Sequence, residues 1–358
     1  MRLLLLLSCL TALGGDCRVN SLDKPAVETT TAAPDMELPP GPDSLSAQHV
    51  KGLSFVAPPR PFEGRPMDDV TAVGANWIAA IPYAFTRLGQ PRVSFDHSGQ
   101  WWGERPEGVE ETIRRAHAAG VEVMLKPQVY VPRSWPGDID FATDAEWEQW
   151  ETDYRNYLDI FVDLAVAYEL PLFCIGTEFK QSATQREAFW RTLIADIRRR
   201  YTGKLVYAAN WDDYQNVPFW DALDYVGIDA YFPLDANDTP TKQALLRAWQ
   251  EPVRAVRAFH ERVQRPVLFT EWGYLSVDGA AGKTWELEKR VQQLPINEAA
   301  QTVAYEAFFE VWSREPYWRG GFLWKWFPGM RGHEGYPARD YTPQGKQAEA
   351  TLGKWFGQ

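Results

Sequence analysis

The sequence has few of the residues that build disulfide frameworks or histidine-based metal sites. Only 3 of its 358 residues are Cys, and only 5 are His. Two of the Cys residues fall within the first 17 positions, so a disulfide framework is excluded. No HxH or HExxH pair occurs, which argues against a metal-dependent hydrolase. We therefore expect a protein that uses neither a metal nor an organic cofactor.

Basic residues are also in short supply. The 37 Lys and Arg residues are outnumbered by 48 Asp and Glu, which gives a formal net charge of −11. Because nucleic-acid phosphates need a basic face, this balance argues against a nucleic-acid partner. Aromatic residues, in contrast, make up 14% of the chain and include 17 Trp. An excess of this size calls for a role besides core packing.

The N-terminal segment differs in composition from the rest of the chain. Residues 1–17 carry one Arg before a short leucine-rich run, which is typical of an export signal and too short to span a bilayer. Cys9 and Cys17 are candidate lipid attachment sites, so a lipid anchor to a membrane stays open. Residues 18–48 are rich in Pro, Thr and acidic residues and predict a disordered linker. We expect one folded domain over 49–358 in an exported monomer, either periplasmic, extracellular or lipid-anchored; the alternative is a cytosolic enzyme with an accidental apolar start.

Short β-branched or aromatic runs then alternate with longer amphipathic stretches. Eight runs are mostly apolar on both faces, as parallel strands covered by helices should be. They are 51–56, 75–83, 121–126, 171–178, 204–211, 223–232, 266–272 and 320–327. This alternation predicts an α/β fold, a (β/α)₈ TIM barrel. A doubly wound open sheet is the alternative, but no glycine-rich phosphate loop follows the first strand.

Two acidic residues end apolar strands of this predicted barrel. Glu178 closes the fourth strand and Glu271 the seventh, and functional residues of such barrels lie at the C-terminal strand ends. Two carboxyl groups at one barrel mouth supply what glycosidic cleavage needs, since one protonates the leaving oxygen and the other attacks or shields the anomeric carbon. The alternative is that each glutamate merely pairs with a neighbour such as Lys126 or Lys325.

The tryptophans fit the same interpretation. Sugars present apolar C–H faces, and flat indole rings bind such faces at little cost in conformational entropy. Four Trp residues lie at predicted strand ends and are candidates for substrate binding: Trp211, Trp272, Trp324 and Trp326. Three more lie in the connections after strands two and three: Trp101, Trp102 and Trp135. Those on predicted helices are expected in the core: Trp147, Trp190, Trp249 and Trp312.

These segments resemble glycoside hydrolase family 113, a branch of the retaining clan A barrels. The similarity covers roughly residues 50–327, and its motifs occur in order: KGLSFV, NWIAAIPYAF, GVEVMLKPQVYV, FCIGTEF, YAANWDDY, DYVGIDAYFPL, LFTEWGY and GGFLWKWF. The resemblance implies hydrolysis of β-1,4-mannosidic bonds in mannan-type polysaccharides or manno-oligosaccharides, by double displacement. It further implies that Glu178 is the acid/base and Glu271 the nucleophile.

Further site residues follow from the resemblance. Tyr231 would hydrogen-bond the nucleophile, and Trp324 or Trp326 would form the floor under the sugar that is cleaved. Many clan members place Asn before the acid/base to bind the sugar 2-hydroxyl, but this sequence has Thr177 there. Candidates to take over that bond are Asn210, Lys126 and Gln128. Apart from the resemblance, the position of Asp229 at the end of the sixth strand makes it a candidate hydrogen-bond partner in the cleft or an orienting group.

Two other functions stay open at this stage. One is a clan A hydrolase of another β-linked glycan, such as a β-mannosidase, a glucanase or a galactanase, with the same two glutamates. The other is a non-catalytic carbohydrate-binding barrel, against which the two intact glutamates argue. Cys174, the Cys in the body of the chain, is expected to pack inside as a small hydrophobic residue.

Overall fold

The computed structural model describes residues 44–330 and 336–357. The predicted export signal and most of the predicted linker lie outside the described residues. Leu45 was expected in the linker, but its side chain is buried and its N–H donates to the carbonyl oxygen of Trp355, 2.8 Å away. The folded domain therefore begins before the expected boundary at His49.

Within these ranges the chain forms ten β-strands. They are β1 (Val50–Phe55), β2 (Trp77–Ala80), β3 (Tyr83–Phe85), β4 (Glu122–Leu125), β5 (Gln128–Tyr130), β6 (Leu172–Thr177), β7 (Lys204–Asn210), β8 (Val226–Asp229), β9 (Val267–Trp272) and β10 (Trp318–Trp326). Eight of them close into a parallel barrel in the order β1-β10-β9-β8-β7-β6-β4-β2, and β3 pairs with β5 beside it. The prediction of a (β/α)₈ barrel is confirmed.

Ten α-helices are formed by the described residues, and the longer ones connect successive barrel strands. They are α1 (Asp68–Ala72), α2 (Pro106–Ala118), α3 (Asp144–Ala167), α4 (Lys180–Gln185), α5 (Glu187–Arg198), α6 (Lys242–Ala248), α7 (Gln250–Val263), α8 (Thr284–Glu288), α9 (Glu298–Trp312) and α10 (Gln347–Phe356). Local sequence sets where they begin: Pro106 opens α2, and a Thr143–Glu146 capping box opens α3. None of these helices combines the length and apolarity that crossing a membrane requires.

The core has two layers, one inside the barrel and one between barrel and helices. Small and medium side chains fill the interior, among them Met124, Cys174 and Leu268. The Cys174 thiol is fully buried, as expected, and burial raises its pKa to about 11. Gly52 makes room for Phe322, since a Cβ there would lie 2.4 Å from the phenyl ring. The outer layer contains the four Trp residues of the helices, which are buried as predicted: Trp147, Trp190, Trp249 and Trp312.

Strand pairing is irregular near the C-terminal ends of β6, β9 and β10. At these points the register shifts, so that Thr177 lies opposite Ala208, Glu271 opposite Asp229, and Trp326 opposite Phe55. An extra residue in one strand of a pair bends the strand and re-aims its side chains, and such bulges are common beside active sites. Strict alternation along these three strands therefore does not decide which side chains reach the mouth of the barrel.

Packing of α3 against the barrel should contribute strongly to stability. Phe161 is buried in this helix, and its ring centroid lies 5.2 Å from that of Tyr157. We expect Phe161→Ala to lower the free energy of unfolding by about 3–5 kcal/mol, because it leaves a cavity. Val166→Ala on the same helix is the control, since Val166 is 41% exposed and should lose less than about 0.5 kcal/mol. Urea unfolding followed by circular dichroism measures both, and equal losses would contradict this account of the packing.

Candidate active site

Two adjoining cavities open at the C-terminal ends of the barrel strands. The larger has a volume of about 850 Å³ and the smaller about 160 Å³. They share five lining residues: Tyr130, Ser134, Glu178, Glu271 and Trp324. The structure therefore brings the two predicted carboxyl groups to one place, where both face open space.

Glu271 is held by three hydrogen-bond donors. At Oε1 it accepts from Lys126 Nζ at 2.5 Å and from Gln128 Nε2 at 2.8 Å. At Oε2 it accepts from the Tyr231 hydroxyl, also at 2.8 Å. Donors on both oxygens fix the orientation of the side chain, and a charged donor makes the strongest of such bonds. Tyr231 occupies the position that the resemblance implied for it.

Lys126 and Asp229 form a buried charge pair beneath this carboxylate. Both side chains are fully buried, and Lys126 Nζ lies 3.4 Å from Asp229 Oδ1. Burial disfavours a charged lysine, but the Asp229 and Glu271 carboxylates outweigh it and raise the pKa of Lys126. Burial, followed by the negative charge of Glu271, raises the pKa of Asp229 to about 7. Thr270 Oγ1 donates to Asp229 Oδ1 at 2.7 Å and fixes that side chain.

Glu178 lies directly after β6, with a left-handed backbone (φ 56°) that non-glycine residues rarely adopt. Residues held in such conformations cluster at functional sites. Its pKa is well above the usual range for a carboxyl group, first because of burial and then because of the negative charges of Asp229 and Glu271. The bond from Trp135 and the charge of Lys126 act in the opposite direction but are weaker. Glu178 is therefore suited to keep its proton to higher pH than an ordinary carboxyl group does, as a general acid must.

Trp135 sets the orientation of that carboxyl group. Its indole Nε1–H donates to Glu178 Oε2, and the residue also lines the larger cavity. Gly137 packs against the indole, where a Cβ would lie 2.1 Å from the ring. A larger residue at position 137 would displace Trp135 and so disturb its bond to Glu178.

Five of the nine residues predicted to bind substrate line the cavities. Gln128 lines the smaller cavity, whereas Asn210, Trp211 and Tyr231 line the larger, and Trp324 lines both. Lys126 and Asp229 lie below the cavity floor and line neither cavity, so neither is placed to touch a substrate. The alternative that Glu271 pairs with Lys126 also describes a real contact, but Glu271 still lines both cavities.

The expectation that Trp272 and Trp326 bind substrate is wrong. Both side chains are buried, and neither lines a cavity at the mouth. Trp272 packs in the core, whereas Glu271, its neighbour in β9, lines both cavities. Trp272 stacks on Phe308 of α9 with ring centroids 4.0 Å apart. Trp326 follows the register shift in β10 and packs in the core, which leaves Trp324 as the one of the two that reaches the mouth.

Other lining residues were missed at the level of sequence. They come from the end of β5 and the segment after it, from α8 and its flank, and from the segment after β10: Tyr130, Arg133, Ser134, Asp138, Thr284, Trp285, Glu288, Lys289 and Tyr341. The presence of Trp135 in the connection after the third barrel strand could have indicated that this connection, which also contains Arg133 and Ser134, lines the cavity. Nothing in the local pattern around Tyr341 indicates that it returns to the mouth.

Comparison with known proteins identifies the family of this barrel. The sequence profile described as Glycoside Hydrolase Family 113 matches residues 63–346. This chain belongs to glycoside hydrolase family 113. The match includes both glutamates and every residue that lines the two cavities, so this family 113 barrel is a glycoside hydrolase. No curated protein matches the sequence.

Solved structures agree with this family assignment. A complex of a GH113 β-1,4-mannanase superimposes with a TM-score of 0.73 at 24% sequence identity, covering 86% of this chain and 99% of that one. The GH113 β-mannanase AaManA from Alicyclobacillus acidocaldarius, in complex with ManMIm, gives 0.71 at 26% identity, covering 86% and 97%. A β-glucuronidase from Faecalibacterium prausnitzii shares the fold at 15% identity, with a TM-score of 0.54 and coverage of 86% and 49%.

Removal of the buried ammonium group should change the pH dependence of this family 113 enzyme. Lys126→Met takes a donor from Glu271 and also removes a positive charge that lowers the pKa of Glu178. Because Glu178 then holds its proton to higher pH, we expect the basic limb of the kcat/KM profile to move upward by about one pH unit, with a lower maximum. Lys204→Met is the matched control, because Lys204 is 60% exposed at the N-terminal end of β7. A lower maximum with an unmoved basic limb would contradict the proposed electrostatic role.

Proposed function

We propose that this chain hydrolyses β-1,4-mannosidic bonds in mannan-type polysaccharides or manno-oligosaccharides with retention of anomeric configuration. The observation that carries the proposal is the pairing of Glu178 and Glu271 at one cavity. Their surroundings differ, since burial and nearby negative charge raise the pKa of Glu178, whereas three donors hold Glu271. The names of the related solved structures, which are β-mannanases, support mannan as the glycan.

In the first step Glu271 attacks the anomeric carbon, and the bond from this carbon to the glycosidic oxygen breaks. The departing oxygen takes the proton of Glu178, so that the leaving sugar chain is released as a neutral alcohol. A covalent glycosyl ester of Glu271 results. Trp135 orients Glu178 for this transfer through its N–H donated to Oε2.

In the second step the ionised Glu178 takes a proton from a water molecule. The water oxygen bonds to the anomeric carbon, and the ester bond to Glu271 breaks. The charge that returns to Glu271 meets the donors from Lys126, Gln128 and Tyr231. Because Glu271 attacks the anomeric carbon directly, with no water between, we expect the two carboxyl groups to lie about 5–5.5 Å apart.

Asn210 is the residue we assign to the sugar 2-hydroxyl. Of the three candidates, Lys126 lies below the cavity floor and the amide of Gln128 donates to Glu271. Asn210 donates one amide N–H to Asp212, and its second N–H and its carbonyl oxygen can serve a sugar hydroxyl. Asn210 lines the larger cavity at the end of β7, the strand next to the one that precedes Glu178. Trp324 and Trp211 offer flat apolar surfaces in the same cavity for the C–H faces of the sugars.

Replacement of each glutamate should give a different kinetic pattern. Glu271→Ala should lower mannan hydrolysis at least about thousandfold, because no glycosyl ester can form. Glu178→Gln should lose about 10²–10⁴ in kcat on mannohexaose but much less on a dinitrophenyl mannobioside, whose leaving group needs no proton. Steady-state kinetics measure both. Glu122→Gln, at the exposed N-terminal end of β4, is the matched control and should behave as the wild type.

Near wild-type hydrolysis of mannan by Glu271→Ala would contradict the assignment of the nucleophile. The anomer released first, followed by NMR, should be β, and an α product would exclude double displacement. A panel of linear mannan, β-glucan and β-galactan tests the substrate, since preference for either of the others would favour another clan A specificity. Binding of the glycans without any product would favour a non-catalytic carbohydrate-binding barrel.

We also propose that the enzyme is exported. Residues 1–17, with one Arg before a leucine-rich run, support this step. In a bacterial host, cell fractionation with mass spectrometry should find the enzyme outside the cytosol and without this run. If the wild-type enzyme partitions into the detergent phase, it carries a lipid anchor. Loss of this partitioning in Cys9→Ser or in Cys17→Ser would then identify the attachment site. An unprocessed chain confined to the cytosol would contradict export.

A further inference from the structure

Two tryptophans form a stacked pair on one wall of the larger cavity. Trp211 follows β7 and Trp285 lies in α8, and their ring centroids are 5.7 Å apart with an interplanar angle of 20°. At this spacing two nearly parallel rings are offset, so each leaves part of its face uncovered. Trp285 is 36% exposed, and because it stacks on Trp211 the two rings form one contiguous apolar surface, which is the kind of surface that marks binding sites. The pair therefore presents an aromatic surface to the cavity.

The position of this aromatic pair is fixed by packing from behind. Leu287 and Val291, which follow Trp285, are buried in a small apolar cluster with Tyr341. On the other side the ring of Trp211 packs against Phe232, with centroids 5.8 Å apart. Rings held from behind lose little entropy when a ligand covers their free faces.

The aromatic pair lies to one side of the reaction centre. Glu178 and Glu271 line both cavities, whereas Trp211 and Trp285 line only the larger one. The larger cavity has about five times the volume of the smaller, which leaves room beyond the sugar that reacts. Asp212 and Lys289 line the same cavity and supply polar groups for sugar hydroxyls.

We propose that Trp285, together with Trp211, forms a distal subsite that binds one further pyranose unit of a β-linked glycan chain. The inference rests on the proposed function in that the occupant is another unit of the same chain that is cleaved between Glu178 and Glu271. Because stacking at this subsite is available only to chains that reach it, Trp285 makes the enzyme select longer substrates. A sugar too short to reach the aromatic pair gains nothing from it.

Trp285→Ala tests this subsite on oligosaccharides of increasing length. On mannohexaose kcat/KM should fall by about tenfold, mostly through KM, because the contact area of one ring is lost. On the shortest oligosaccharide that the wild type cleaves, the change should stay below about twofold. Trp285→Phe retains a flat apolar ring and should recover most of the lost kcat/KM. Trp101→Ala is the matched control, since Trp101 is 38% exposed, lines neither cavity and should leave all lengths unchanged.

The same kcat/KM as the wild type at every length, or an equal loss at every length, would overturn the distal subsite.

The cello-oligosaccharide series is run in parallel, so that the two proposals can fail separately. If the wild type cleaves only the cello series, the proposed mannan specificity fails, and the length dependence on that series decides the role of Trp285. If neither series is cleaved, hydrolysis itself fails, and calorimetric titration decides the subsite. Weaker binding of a hexaose to Trp285→Ala than to Trp101→Ala then supports it, and equal binding overturns it.

Discussion

A single ammonium group buried among carboxyl groups determines how this active site is arranged. Lys126 reaches the floor of the cavity from the segment between β4 and β5, and it contacts Glu271 and Asp229 at once. A buried charge is tolerated only when opposite charges and hydrogen bonds compensate the loss of water. The three side chains therefore depend on each other, and Glu271 keeps one orientation because the other two are fixed. The chemistry at the mouth relies on this arrangement inside the barrel.

The barrel and its two glutamates could be predicted because each leaves a local signal. Parallel strands covered on both faces are short apolar runs, and their C-terminal ends meet at one edge of the barrel. Glu178 and Glu271 stand out there because a carboxyl group at the end of a buried strand needs a reason. Tryptophans on amphipathic helices, such as Trp312, likewise follow the helical pattern into the core. These features depend on neighbours in sequence.

What could not be predicted depends on contacts between distant segments. Trp326 ends a strand just as Trp324 does, but a register shift against β1 sends it into the core. Trp285 and Tyr341 come from segments whose local patterns do not mark a binding wall, and they reach the cavity because one apolar cluster holds α8 and the segment after β10 together. The depth of Lys126 was missed for a similar reason, since only the closed barrel shows that no solvent reaches it.

The charge of Glu271 influences when Glu178 donates a proton and when it accepts one. Part of what keeps the proton on Glu178 is the negative charge on Glu271. Esterification removes that charge during the reaction, so the affinity of Glu178 for a proton drops once the glycosyl group is attached. At that moment the residue must accept a proton from water instead of donating one. The attached glycosyl group thereby converts Glu178 from the acid of the first step into the base of the second.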